Sequence, residues 1–172
     1  LNDFYEFNSE NNTWQEVIYS GSGLPPTPRH SMCAIVYDGN MYVFAGYDGF
    51  CRSELHRFNF ETNTWREITK RPNMQWPRER YRTSAALYKN GMYIYGGHDG
   101  TKQLEDFWCF DLKKQIWEEI KIKQNLPTTR DSHTTFVYKD CLYIQGGTVN
   151  LQSKADFFEL NFSKFFLNKN KI

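Results

Sequence analysis

The chain has 172 residues, a formal net charge of +1, 40% hydrophobic and 17% aromatic residues, and four cysteines. The length fits one domain, the charge gives no field that would draw nucleic acid or an anionic membrane, and no apolar run approaches the roughly 18 residues of a membrane span. Cys33, Cys51, Cys109 and Cys141 form no C-x-x-C pair, so neither a zinc knuckle nor a dense disulfide framework is suggested; no signal-peptide pattern opens the sequence, and a cytoplasmic or nuclear setting is expected.

The first predicted strands are Asp3 to Phe7 and Thr13 to Val17, the second carrying Trp14. Two apolar runs follow, Met32 to Tyr37 and Met41 to Ala45, around Asp38-Gly39-Asn40. Asp-Gly between such runs signals a hairpin, because the favoured two-residue turn needs positive φ. Gly46 is expected to end the second strand, where a glycine permits positive φ or a close backbone approach. Glu54 to Phe58 and Thr64 to Ile68, with Trp65, complete the unit.

The same order then returns after about 51 residues. Thr83 to Tyr88 and Met92 to Tyr95 flank Lys89-Asn90-Gly91, in which Asn-Gly is the turn signal, and Gly96-Gly97 is expected to end the second strand. Asp106 to Phe110 and Ile116 to Ile120, with Trp117, follow. A third copy shows Tyr138, a Lys139-Asp140 turn without glycine, Gly146-Gly147 and the strand Asp156 to Leu160. The apolar runs do not alternate cleanly, which suits strands covered on both faces. Four antiparallel strands per unit, repeated with this period, predict an all-β array of radially arranged sheets, a β-propeller.

These units resemble kelch repeats, whose pattern is a Gly-Gly doublet, a spaced Tyr and a spaced Trp in about 50 residues. Gly96-Gly97, Phe110 and Trp117 fit it; Ala45-Gly46, Phe58 and Trp65 fit with alanine for the first glycine; Gly146-Gly147 fits its first part. The style of the units is similar to the leucine-zipper-like regulator branch of kelch proteins. The resemblance covers nearly all of the chain. It implies one kelch-repeat region over 1–172: a half blade at 1–20, blades at 28–70 and 79–122, and a nearly complete, degenerate last blade at 129–172 in which Phe165-Phe166 stand in for the expected Trp. Three to four blades read as a segment of a larger propeller or as a degenerate short relative. Exposed end blades invite association, so a homo-oligomer formed through them is an expectation.

The resemblance places recognition on the rim that carries the loops between second and third strands and those leading into each first strand. Here these are Tyr47 to Ser53, His98 to Leu104 and Thr148 to Lys154, and Tyr19 to Ser31, Thr69 to Arg82 and Lys121 to Ser132. Arg29, Arg80 and Arg130 recur just before each first strand and are read as structural forks that satisfy carbonyls or a carboxylate. Two residues later stand Ser31, Arg82 and Ser132, the register of ligand contacts in peptide-binding relatives; an ordinary solvated arginine is the other reading of Arg82. The loop from Arg66 to Arg82 holds Arg66, Lys70, Arg71, Arg78, Arg80 and Arg82 against Glu67 and Glu79, with Trp76 and Tyr81. It reads as a positive patch for an acidic, extended peptide, as a solvated basic loop or, with less support from the rest of the chain, as a site for single-stranded nucleic acid. Tyr47 and His98 occupy equivalent loop positions; His98 is either a satisfied loop histidine or a contact. Gly46, Gly96, Gly97, Gly146 and Gly147 are expected to be structural, as are Trp14, Trp65 and Trp117, packed between blades. Asp48-Gly49 and Asp99-Gly100 read as turns. Cys51, beside Arg52 in a loop expected to be exposed, reads as an inert thiol or as one with a modestly lowered pKa.

No nucleophile–base pair, phosphate loop or metal motif is present, so neither a catalytic residue nor a cofactor or metal ligand is assigned. The expected function is a non-catalytic module that binds a protein partner, not nucleic acid and not membrane. The resemblance further implies a substrate receptor of a cullin-type ubiquitin ligase, with an actin or signalling scaffold, or a metal-dependent kelch enzyme, as alternatives.

Overall fold

The computed structural model describes residues 2–19, 21, 23–122 and 127–163. Phe165-Phe166, the two ends of the repeat region at residues 1 and 172, and parts of two rim loops (Ser20, Ser22 and 123–126) lie outside them. Among the described residues the chain is built of antiparallel sheets. The first pairs β1 (Tyr5–Asn8) with β2 (Thr13–Glu16). The second runs in chain order through β3 (Cys33–Tyr37), β4 (Asn40–Phe44), β5 (Leu55–Asn59) and β6 (Thr64–Ile68). The third repeats it with β7 (Ser84–Tyr88), β8 (Gly91–Tyr95), β9 (Phe107–Asp111) and β10 (Ile116–Glu119). The last has β11 (Thr134–Tyr138), β12 (Cys141–Val149) and β13 (Gln152–Asn161).

Successive sheets meet through their first strands, β3 against β7 and β7 against β11, as propeller blades do around an axis. Each sheet is covered on both faces where it has neighbours, which is why its strands read as near-continuous apolar runs. The junction between the second and third sheets buries Phe44, Leu55, Met92, Ile94 and Phe110 completely. Each such side chain contributes roughly 1.5–3 kcal/mol over an exposed one. A second cluster joins the third and last sheets through Tyr95, Phe107, Leu142 and Phe162, and a smaller one sets Phe58 and Trp65 against Phe4 of the first. Trp65 and Trp117 are buried there, and the Trp117 ring lies 4.9 Å from that of Phe44.

Four sequence expectations are corrected. Within this chain Trp14 does not pack between blades: it is exposed and touches Phe7 of its own hairpin at 5.1 Å. Trp117 lies against the sheet before its own, and β1–β2 is the first sheet of this chain, so Trp14 has no such neighbour within it. The turn between β7 and β8 is Lys89-Asn90, not Asn90-Gly91: Tyr88 pairs with Gly91, and Lys89 takes φ +53°. Gly91 belongs to the strand, where an added Cβ would lie 2.7 Å from the Tyr93 ring. Gly146-Gly147 does not end its strand, since β12 continues to Val149 with a bulge between Gln145 and Gly147. The expected loop from Thr148 to Lys154 is therefore a tight hairpin, turned by Asn150 and Leu151 at φ +48° and +64°.

Candidate partner-binding rim

The loops are fixed from beneath by three arginine clasps. Arg80 is wholly buried; its Nη1 donates to the Gly96 carbonyl at 2.9 Å, and Nη1 and Nη2 each donate to the Asp106 carboxylate at 2.8 Å. Arg130 repeats this on Gly146 at 2.8 Å and Asp156 at 2.8 and 2.9 Å. Arg29 makes the looser version, on the Ala45 carbonyl and Glu54, both at 3.1 Å. One planar fork thus ties the loop before the first strand to the end of the second and the start of the third. Burial works to raise the Asp106 pKa, but the hydrogen bonds and charge of Arg80 outweigh it and hold the carboxyl below its ordinary value.

Above each clasp the next residue pairs across to the chain that follows the glycine position: His30 with Tyr47 and Tyr81 with His98 in loops, and Asp131 with Thr148 near the end of β12. Both backbone hydrogen bonds form in each pair, at 2.8–3.2 Å. The geometry brings Tyr47, Tyr81 and His98 together as a row of rings, with His30 at its open end: ring centroids are 5.6 Å apart for His30–Tyr47, 5.3 Å for Tyr47–Tyr81 and 5.5 Å for Tyr81–His98. His30 was not singled out in sequence. The signal was its place directly after Arg29, the register of Tyr81 after Arg80.

Ser31, Arg82 and Ser132 all have positive φ, at +56°, +54° and +58°. Their backbones form a ladder from blade to blade: Arg82 N donates to Ser31 O and Ser132 N to Arg82 O, each at 2.9 Å. The Arg82 side chain is about half exposed, lies over the Tyr81 ring with its guanidinium carbon 5.1 Å from the centroid, and has Nη1 3.5 Å from Asp131 Oδ2. Asp131 is buried and accepts further hydrogen bonds from Gln103 Nε2 at 2.5 Å and Ser132 Oγ at 2.9 Å. Ser31 Oγ lies 2.9 Å from His30 Nδ1.

In the expected positive patch the arginines nearest the rim are paired within the chain, while Arg66, Lys70 and Arg71 are exposed. Arg80 is buried in its clasp, Arg78 meets Asp99 at 2.9 Å, and Arg82 faces Asp131. Trp76 turns inward, donating to the Ser53 carbonyl at 2.7 Å beside Trp117. Asp99 caps its own turn with bonds from Thr101 and Lys102, with Gly100 at φ +94°. Asp48 does likewise in the loop before it: hydrogen bonds from Arg52, at 2.8 Å, and from Thr27 hold its carboxyl well below the usual range. Cys51 is half-buried, and burial, with Asp99 and Glu79 nearby, moves its pKa upward. The lowered value considered for it is overturned, because Arg52 is turned away toward Asp48 and Glu54. Among the described residues no group of three His, Cys, Asp or Glu side chains is placed to hold a metal ion.

Comparison with known proteins gives one consistent result. The model of the KLHDC2/KLHL20/DRC7 kelch-repeats domain matches residues 1–166. The chain is 34% identical, over 96% of its length, to the leucine-zipper-like transcriptional regulator 1 homolog of Drosophila melanogaster. It is 35% identical, over 69% of its length, to kelch domain-containing protein 10 of Xenopus tropicalis, and 28% identical, over 95%, to Ras guanine nucleotide exchange factor F of Dictyostelium discoideum. It spans 18%, 30% and 14% of those proteins, respectively.

Proposed function

The chain belongs to the kelch-repeat family, and on that premise we propose that it is a non-catalytic recognition module which holds an extended segment of a protein partner across the loop rim. The observation that carries this is the division between the clasp arginines and the groups that stand above them. Arg29, Arg80 and Arg130 are buried in clasps, whereas Arg82, Tyr47, Tyr81 and His98 stand above them, part exposed and gathered from two consecutive sheets. A rigid base beneath exposed aromatic and guanidinium groups is the arrangement of an interaction hot spot.

In this reading the Tyr and His rings supply flat contact area. Arg82 donates to a carbonyl or carboxylate of the partner while keeping Asp131 on its other side, and Ser31 and Ser132 contribute hydroxyls. As a finer proposal, the partner is the substrate of a cullin-type ubiquitin ligase whose remaining parts lie outside these repeats. Affinity capture with the parent chain and with Arg82→Ala tests both levels. Loss of a partner at an unchanged melting temperature supports the rim, and co-capture of a cullin supports the ligase role. Retention of every partner by Arg82→Ala would remove Arg82 from the site.

A further inference from the structure

We propose that the rim takes a proline-rich segment in the polyproline II conformation; this rests on the rim reading above and names the chemistry of the partner. The four rings from His30 to His98 are not parallel. Their interplanar angles are 47°, 46° and 62°, so neighbouring rings meet at an angle and the row is corrugated, not a flat platform. A nucleobase stacks on a ring face. A proline ring is a compact ridge that fills a notch between aromatics.

The hydrogen-bonding groups along the row agree. A polyproline II segment has no internal hydrogen bonds and presents its carbonyls outward, so it is recognised by donors. The Tyr47 and Tyr81 hydroxyls meet no partner among the described residues, and the part-exposed guanidinium of Arg82 lies over Tyr81. The row is also fixed in advance, because its ring-bearing residues sit in the paired backbone bridges of two loops. A fixed row and a ligand that is already extended lose little freedom on meeting.

Charge argues against the acidic alternative. Arg29, Arg52, Arg78, Arg80, Arg82 and Arg130 each face a carboxylate of the chain itself. An acidic segment would bring further negative charge beside Asp131 at Arg82, whereas a neutral one does not. The row ends at the last sheet, where Asp131 and Thr148 occupy the ring positions, so the footprint covers the second and third sheets.

The test titrates the chain with three blocked peptides of equal length: decaproline, a Gly-Ser repeat and a Glu-rich sequence. Binding is followed by calorimetry and by the NMR signals of the His30 and His98 rings. Decaproline is expected to bind roughly tenfold more tightly than the Gly-Ser peptide, to shift both histidine signals, and to lose roughly tenfold in affinity with Tyr81→Ala. The ring signals of the parent chain decide the matter even if that variant is poorly folded. Decaproline binding no better than Gly-Ser, or binding without moving the rings, overturns the proposal. Arg82-dependent binding of the Glu-rich peptide alone overturns it while leaving the rim reading intact. Failure of both peptides, together with full partner capture by Arg82→Ala, removes the rim reading as well.

Discussion

The first sheet and the third carry the same signature, an aromatic opposite a tryptophan on adjacent strands, and give it opposite environments. Phe110 and Trp117 are 0% and 3% exposed, while Phe7 and Trp14 are 46% and 68% exposed. The local geometry barely differs, since the two rings lie 5.1 Å apart in both sheets. What differs is the neighbour. The third sheet is pressed against the second, so its tryptophan meets Phe44 and Trp76. The repeat pattern therefore encodes a blade, and the adjacent blade determines how much each position stabilises. The last sheet repeats the lesson on its other face. There Phe136, Tyr143 and Phe157 stack on one another, with Phe157 and Phe136 exposed, at positions equivalent to the buried Ala86, Tyr93 and Phe107 of the third sheet.

The largest effect that would break this comparison is at the two tryptophans. Trp117→Ala should destabilise the chain by roughly 3–5 kcal/mol, because it removes a buried aromatic from a closed junction. The buried indole Nε1 has no hydrogen-bond partner among the described residues, so packing accounts for the loss. Trp14→Ala should change stability by less than about 0.5 kcal/mol, as surface substitutions do. Urea unfolding of the two variants measures both. Equal losses would mean that the first sheet has a neighbour in solution, which is also how an oligomer through the end sheets would announce itself.

Much of this architecture was legible because it repeats. Period, strand order and the tryptophan positions all follow from local pattern, and the hairpin between β3 and β4 follows from Asp38-Gly39 at φ +47° and +67°. The candidate rim residues were legible only by register, as the positions after each Arg and each Gly-Gly. What stayed hidden was partnership. Nothing in the sequence shows that Arg78 meets Asp99, that Asp131 lies beneath Arg82, or that Trp14 stands exposed, because each depends on a neighbouring loop or sheet. The turn at Lys89-Asn90 was misread for a different reason. Gly91 looks like a turn residue, but it is a strand residue kept small by the Tyr93 ring and the Cys109 sulfur beside it.

The next contrast is at the residue three positions after each clasp arginine: Met32, Thr83 and His133. Thr83 donates to the Tyr95 carbonyl at 2.9 Å, whereas the buried His133 ring lies edge-on to Tyr95 with no full hydrogen bond at either nitrogen among the described residues. Burial, helped by the charge of Arg130, pushes the His133 pKa down to about 4 from 6.5. The unfolded chain then binds a proton that the folded chain refuses. Stability is thus complete above pH 6.5 and is lost as pH falls toward 4, by roughly 3 kcal/mol in all. His56, whose pKa burial also lowers, adds to the same slope. The Asp106 and Asp156 carboxylates, with pKa values below their usual range, release their share of stability at lower pH still. His133→Thr, which copies the third sheet, should flatten the urea midpoint between pH 6.5 and 4.5. An unchanged slope would place the acid sensitivity elsewhere.

The smallest contrast is at the first glycine position, which holds Ala45, Gly96 and Gly146 at φ +67°, +56° and +62°. An alanine in this left-handed region is disfavoured by roughly 1–2 kcal/mol. A Cβ on Gly96 would also lie 2.5 Å from the Arg130 carbonyl oxygen, a contact the fixed backbone of that clasp cannot relieve cheaply. Gly96→Ala should therefore destabilise by about 2 kcal/mol or more. The second sheet already carries the methyl, wholly buried, over the loosest of the three clasps. Removing it by Ala45→Gly relieves the left-handed strain, but it gives up about 0.8 kcal/mol of burial and makes the unfolded chain freer by about 0.4–1 kcal/mol. These terms oppose one another and nearly cancel, so the Ala45→Gly melting temperature should stay close to that of the parent. A marked rise would show that the looser Arg29 clasp leaves Ala45 strained; a marked fall would show that the sheet has repacked around the methyl and now depends on it.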